Sequence, residues 1–180
     1  TTKNPRSTVG TITEIYDYMR LLWARLGVPH CPETGEAVQR QTPQQIIERL
    51  LTMKEGTKLQ LLSPVVRQKK GEHKEEMAKY QSMGFSRVRL NGELKNLDDQ
   101  LSVPKAKFND IEIVVDRVVL KDGVRARLAD SVEYALKLSN GYLIVIADTT
   151  EIFFSEKNFS FQTNKSYPDL EPRLFSFNSP

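Results

Sequence analysis

Apolar residues along the chain follow two different periods, and the change comes near residue 57. Before it, Ile15, Met19, Leu22 and Leu26 recur at three- and four-residue spacing and Gly27 follows, the pattern of an amphipathic helix with a glycine stop. Thr11 or Thr13 could cap its start, with Glu14 and Asp17 suited to the N-terminal dipole. After a polar loop, Thr42-Pro43-Gln44-Gln45 reads as N-cap, first-turn proline and capping-box glutamine. Ile46, Ile47, Leu50, Leu51 and Met53 form the apolar stripe of this second helix, which Gly56 ends.

Beyond Gly56 the pattern is mostly extended. Residues 58–66 predict a strand closed off by Ser63-Pro64, and residues 71–82 a charged helix with a thin apolar side of Met77, Ala78 and Tyr80. Residues 85–90 read as a strand, Asn91-Gly92 as a tight hairpin turn, and residues 93–97 as a short return strand. Residues 111–120, rich in Val and Ile, are the strongest strand signal. A third long helix carries Leu128, Val132, Ala135, Leu136 and Leu138, and Asn140-Gly141 stops it. Residues 142–147 predict a further strand, and residues 152–154 another. The order β-α-β-β-α-β from Lys58 onward, with one extra hairpin arm, predicts an α+β fold of the split β-α-β, ferredoxin-like kind: a mostly antiparallel sheet with helices on one face, plus flanking helical segments. The stretch 98–108, with Pro104 and alternating lysines, is expected to be a mobile loop.

Charge changes this picture more than composition does. The chain has 180 residues and a net charge of +3, too little to announce a nucleic-acid binder. Between positions 58 and 89, however, eight basic residues face only three acidic ones, so the stretch is +5 and the remainder of the chain −2. Arg67-Gln68-Lys69-Lys70-Gly71-Glu72-His73-Lys74 joins a strand to a helix and should be exposed. In the next strand, Phe85, Arg87 and Arg89 share one face by the period of two, opposite Ser86, Val88 and Leu90. Two arginines on one strand face are a rigid pair of forked donors suited to carboxylates or phosphates. Arg117 stands on a strand of valines beside Asp116, where a long charged side chain either snorkels over an edge or faces a partner.

Catalytic signals are missing. No Gly-x-x-x-x-Gly-Lys-Ser/Thr or Gly-x-Gly-x-x-Gly loop occurs. His30 and His73, the only histidines, have no metal-ligand spacing with each other or with Cys31. The pairs Asp98-Asp99 and Glu75-Glu76 read as solvated charge runs. The single cysteine excludes an intrachain disulfide and points to a reducing cytoplasm. No apolar run approaches the ~18 residues of a membrane span. An opening without Met, Thr1-Thr2-Lys3-Asn4-Pro5-Arg6, suggests a piece of something longer.

Several segments together resemble the UvrA family of bacterial excision-repair ATPases. Asn4-Pro5-Arg6-Ser7-Thr8-Val9-Gly10-Thr11, running into Thr13-Glu14-Ile15-Tyr16-Asp17-Tyr18, resembles the stretch after that family's first Q-loop. Lys70-Gly71-Glu72-His73, Gly84-Phe85-x-Arg87-Val88-Arg89-Leu90-x-Gly92-Glu93 and Val114-Val115-Asp116-Arg117 resemble its UvrB-binding insert. The most specific match is Leu170-Glu171-Pro172-Arg173-Leu174-Phe175-Ser176-Phe177-Asn178-Ser179-Pro180. The resemblance implies a UvrB-binding domain at residues 27–150, between ATPase-domain flanks at 1–26 and 151–180. It further implies a parent that binds ATP and DNA and is a homodimer, while this piece lacks the ATPase machinery. Arg87 and Arg117 sit where the family places arginines that contact UvrB; Arg89, Lys70, His73 and Lys74 are secondary candidates. The competing expectation is direct nucleic-acid binding by the sheet, for which only Phe85 and Tyr142 could supply stacking. In the family, Leu170-Glu171-Pro172 lies between two Cys-x-x-Cys pairs that bind a structural zinc. Ser160 and Thr163 stand at the first pair, and Thr34 follows Cys31 where relatives carry a second ligand, so no metal is expected here.

Overall fold

A computed structural model of the chain describes residues 9–38, 40–98, 101–160, 162–163 and 165–176. Sequence readings that rest on residues 4–8, Asp99, 177–180 or the side chain of Thr11 lie outside the described residues. In chain order the elements are α1 (Val9–Ile12), α2 (Ile15–Leu26), α3 (Pro43–Leu51), β1 (Lys58–Lys69), α4 (Lys74–Ser82), β2 (Arg87–Leu90), β3 (Glu93–Asn96), β4 (Asn109–Val119), α5 (Arg125–Leu138), β5 (Tyr142–Ala147), β6 (Thr150–Ser155), β7 (Asn158–Ser160), β8 (Lys165–Tyr167) and a 3-10 turn (Pro172–Phe175). They fall into two compact units, Thr1–Gln39 with Asn158–Pro180, and Arg40–Lys157. The boundaries 26/27 and 150/151 implied by the family resemblance fall inside these units.

The larger unit is an α+β fold built on a six-stranded sheet in the order β3-β2-β4-β1-β5-β6, every neighbouring pair antiparallel. Helices cover one face. Leu59, Leu61, Val118, Leu143, Val145 and Phe154 lie in one buried cluster with Ile46 and Leu50 of α3 and Leu128 and Val132 of α5. Val66, Val88, Leu90, Ile111 and Ile113 lie in a second with Met77 and Tyr80 of α4. Helix α3 starts as its sequence predicts. The Thr42 hydroxyl accepts from the Gln45 N–H at 3.2 Å, the Gln45 side chain accepts from the Thr42 N–H at 2.9 Å, and Pro43 opens the first turn. Asn91 and Gly92 have φ of 50° and 88°, the paired positive values of a tight hairpin turn between β2 and β3.

Other expectations shift for physical reasons. Strand β1 runs through Ser63-Pro64 to Lys69. Its pairing with β5 covers only Leu59 to Leu62, and Pro64 sits at a register shift against β4, so the missing N–H is tolerated. Helix α4 starts at Lys74, because Gly71 (φ 135°) and His73 (φ 48°) hold the chain out of helical conformation. Phe85 lies before β2 and packs against Tyr80 and Tyr134 in the helix layer, away from the arginines it was expected to join. Within the stretch expected to be a loop, Val103 is buried, and the Asn109 amide donates to the carbonyls of Pro104 and Lys107.

The smaller unit has little core. Trp23 packs on Tyr16 and Phe175, and the Arg20 guanidinium donates to the Pro172 carbonyl at 2.9 Å, joining α2 to the 3-10 turn. The apolar positions Ile15, Met19, Leu22 and Leu26 of α2 are all exposed. Thr13 does not cap this helix; its hydroxyl donates back to the Val9 carbonyl, and Glu14 (φ 61°) takes the N-cap without a side-chain bond. Gly27 ends α2 as expected, and a Cβ there would lie 2.3 Å from the Trp23 carbonyl oxygen.

Candidate docking surface on the bare sheet face

A β-bulge decides where Arg117 points. Ile111 and Ile113 face the helices, and strict alternation would carry Arg117 to the same side. Instead Leu61 pairs with Asp116 and Leu62 with Val114, leaving Val115 as an extra residue in β4. Parity reverses there. Asp116 turns toward α5, where Arg127 donates to it at 2.8 Å and the Ser131 hydroxyl at 2.7 Å, while Arg117 emerges on the bare face. Burial works to raise the Asp116 pKa, but the bonds from Arg127, Ser131 and the Arg117 N–H outweigh it and hold the carboxyl below its ordinary value.

Arg117 then heads a cross-strand row with Gln60, Ile146 and Glu151. Its guanidinium is exposed and has no acidic partner among the described residues. It borders a surface depression of about 340 Å³ lined also by Lys58, Gln60, Val119, Ile146 and Asp148. Val119 is itself exposed. Arg87, at the start of β2, is exposed in the same way and lies on the bare side, because Val88 beside it is fully buried under the helices.

Arg89, two residues along, is committed internally. It is only 8% exposed, donates to Glu112 through Nε at 2.9 Å and Nη2 at 3.1 Å, and reaches Glu151 at 2.5 Å. Three strands separate β2 from β6 in the sheet order, so this ion triad requires the sheet to curl over its bare face. Burial pulls the Arg89 pKa down, but Glu151 and Glu112 outweigh it and keep the guanidinium charged. Arg67 is covered too, over Tyr142 (5.4 Å) and Phe153 (4.9 Å), and burial pulls its pKa below the ordinary value. Sequence reading found Arg87, Arg89 and Arg117 but not Gln60, Glu112 or Glu151, because only strand register brings these to the arginines.

The other candidates lie at the opposite end of the sheet. Lys70 and Lys74 are exposed; Lys70 lies 4.9 Å over the Phe108 ring, and Lys74 pairs with Glu72 at 3.0 Å. His73 is mostly buried, its Nδ1 3.5 Å from Glu76 and its Nε2 without a hydrogen-bond partner among the described residues. Structure therefore brings Arg87 and Arg117 to the bare face, turns Arg89 inward, and leaves Lys70, His73 and Lys74 at a separate site.

In the smaller unit the turn at Cys31 meets the turn at Thr163. The buried Cys31 Sγ lies 3.1 Å from the Tyr167 hydroxyl and 3.7 Å from Thr163 Oγ1, and Ser160 Oγ accepts from the Thr163 N–H at 3.2 Å. Burial works to raise the thiol pKa, but hydrogen bonds from the Thr34 and Tyr167 side chains and from the Thr34 and Glu33 backbone bring it down to about 6. One thiol among hydroxyls does not fit zinc, whose structural sites take sulfur and imidazole nitrogen. Among the described residues no group of three or more His, Cys, Asp or Glu could hold a metal, and no helix is long and apolar enough to cross a membrane.

A family model described as the UvrA interaction domain matches residues 41–149. Over 181 aligned residues the chain is 49% identical to UvrABC system protein A of Bacillus subtilis, 48% to that of Halalkalibacterium halodurans and 50% to that of Oceanobacillus iheyensis. Each alignment takes in all of this chain but 19% of the relative, so the chain spans about a fifth of the length of these curated relatives.

Proposed function

The chain belongs to the UvrA family, whose interaction domain it contains, and from that premise we propose that its bare sheet face docks UvrB during nucleotide excision repair. The observation that carries this reading is the pair Arg87 and Arg117. Both are exposed and without acidic partners among the described residues, while Arg89 on the same face is consumed by Glu112 and Glu151. Planar guanidinium forks of this kind match partner carboxylates bidentately. Val119 and the depression beside Arg117 supply apolar contact and shape around one of them.

In the whole protein this surface would serve a dimeric, DNA-scanning ATPase. The piece itself would not turn over ATP, since it contains no phosphate-binding loop. It would carry no structural zinc either, given the donor set around Cys31, and metal analysis of the purified chain checks that. Sheet-face stacking of nucleic acid is disfavoured because Arg67 covers Tyr142 and Phe85 lies in the helix layer.

Calorimetry with UvrB tests the reading. Arg87→Ala and Arg117→Ala should each weaken binding by roughly 2–5 kcal/mol, the usual cost of truncating one partner of an interfacial charge pair. Thermal stability should stay near wild type, since exposed substitutions usually move it by less than about 0.5 kcal/mol. Unchanged affinity in both variants would refute the docking assignment.

A further inference from the structure

The end of the sheet away from Arg117 gathers lysines on a fixed platform. Here β1 ends, β4 begins and the β2–β3 hairpin turns. Asn109, fully buried, donates its amide to the carbonyls of Gly71 (3.3 Å), Pro104 (2.7 Å) and Lys107 (3.1 Å). Asn91 donates to Asn109 at 3.0 Å and accepts from the Asp110 N–H at 2.8 Å, and Asp110 accepts from the Gln68 N–H at 2.9 Å. Two loops and a turn are thus pinned to one another through backbone carbonyls, so their side chains project from a shared, ordered base.

Five exposed lysines stand on that base: Lys69, Lys70, Lys74, Lys105 and Lys107. Two of the nearby acids are engaged locally. Asp110 is held by Gln68, and Glu72 by Lys74, with Lys105 adding to the field that keeps the Glu72 carboxyl below its ordinary value. Lys69 and Lys107 have no acidic partner among the described residues. In their midst Phe108 is 60% exposed, with Lys70 lying over its ring. Ammonium groups on flexible stems act as adaptable point charges that can follow a chain of spaced phosphates, whereas the fixed guanidinium forks of the bare face each take one carboxylate or phosphate bidentately. A solvent-facing aromatic among such charges suits an unpaired base.

We propose that this lysine end binds single-stranded nucleic acid, its lysines following the phosphates and Phe108 stacking on a base, independently of the surface that docks UvrB. The test is fluorescence anisotropy of the full chain with a labelled 20-nucleotide oligo-dT strand and a duplex of equal length, in KCl from 50 to 200 mM. Binding of the strand should weaken steeply with salt. Combined Lys69→Gln, Lys105→Gln and Lys107→Gln substitution should weaken binding at least tenfold at 50 mM KCl and reduce the log–log slope by about 2, at ~0.7 for each phosphate no longer neutralised. Phe108→Ala should weaken the strand complex at least fivefold with the slope unchanged. Both variants should keep wild-type UvrB affinity. The proposal is overturned by absence of salt-dependent binding at 50 mM KCl or by a triple variant with the wild-type slope. It is equally overturned by preference for the duplex with Phe108→Ala silent, or by lysine variants that lose UvrB and keep DNA, which would make this end a protein-docking site.

Discussion

On one face of the six-stranded sheet, Leu59, Leu61, Val118, Leu143 and Val145 lie under α3 and α5, and Val88, Leu90, Ile111 and Ile113 lie beside α4. On the other there is no helix among the described residues of the larger unit, yet Leu62 and Ile144 are as deeply buried as the helix-side residues. What shelters them is the curl of the sheet, tied by Arg89 across to Glu112 and Glu151 and by Arg67 lying over Tyr142 and Phe153. The apolar face closes through non-directional burial, which tolerates local variation. The bare face closes through a few directed contacts, each of which must keep its partner. That difference explains how the arginines of one face can divide their work: Arg89 and Arg67 hold the sheet, while Arg87 and Arg117 are left facing outward.

If the bare face depends on the triad, Arg89→Ala should be its most damaging single change. Removing the guanidinium leaves Glu112 buried without its partner and should lower stability by roughly 3–5 kcal/mol, measured by chemical denaturation. A cost no greater than that of Arg87→Ala would erase the distinction between the two arginines. On the helix face a smaller loss should follow from Thr42→Ala, which removes the α3 cap and should cost about 1 kcal/mol. A wild-type melting temperature in that variant would mean tertiary packing alone fixes α3. The smallest effect concerns acid. Asp116 joins the two faces at the bulge, and its folded-state pKa lies below its ordinary value, so its stabilisation is present above the ordinary carboxylate range and is lost as pH falls through the folded value. Asp116→Asn should therefore flatten the acid limb of the stability profile; an unaltered limb would show that other carboxylates carry it.

The smaller unit extends the contrast. Among its contacts are an aromatic trio around Trp23, carbonyl bonds from Arg20 and Tyr16, and the hydroxyls gathered around Cys31, while the apolar stripe of α2 stays exposed. Periodicity located that stripe correctly but said nothing of what would cover it.

By itself the sequence determined the parts whose partners lie close along the chain. The Thr42–Gln45 capping box, the Asn91-Gly92 turn, the α+β class and the outward side of Arg87 all follow from residues within a few positions, where propensity and period act directly. Tertiary structure decided the rest. Arg117 faces outward only because β4 takes an extra residue against β1, and a register shift belongs to two strands at once. Arg89 meets Glu112 and Glu151 from 23 and 62 positions away, and Cys31 meets Thr163 across 132. Such pairings carry no local signature, because each depends on strand order and curvature that only the whole packed unit sets.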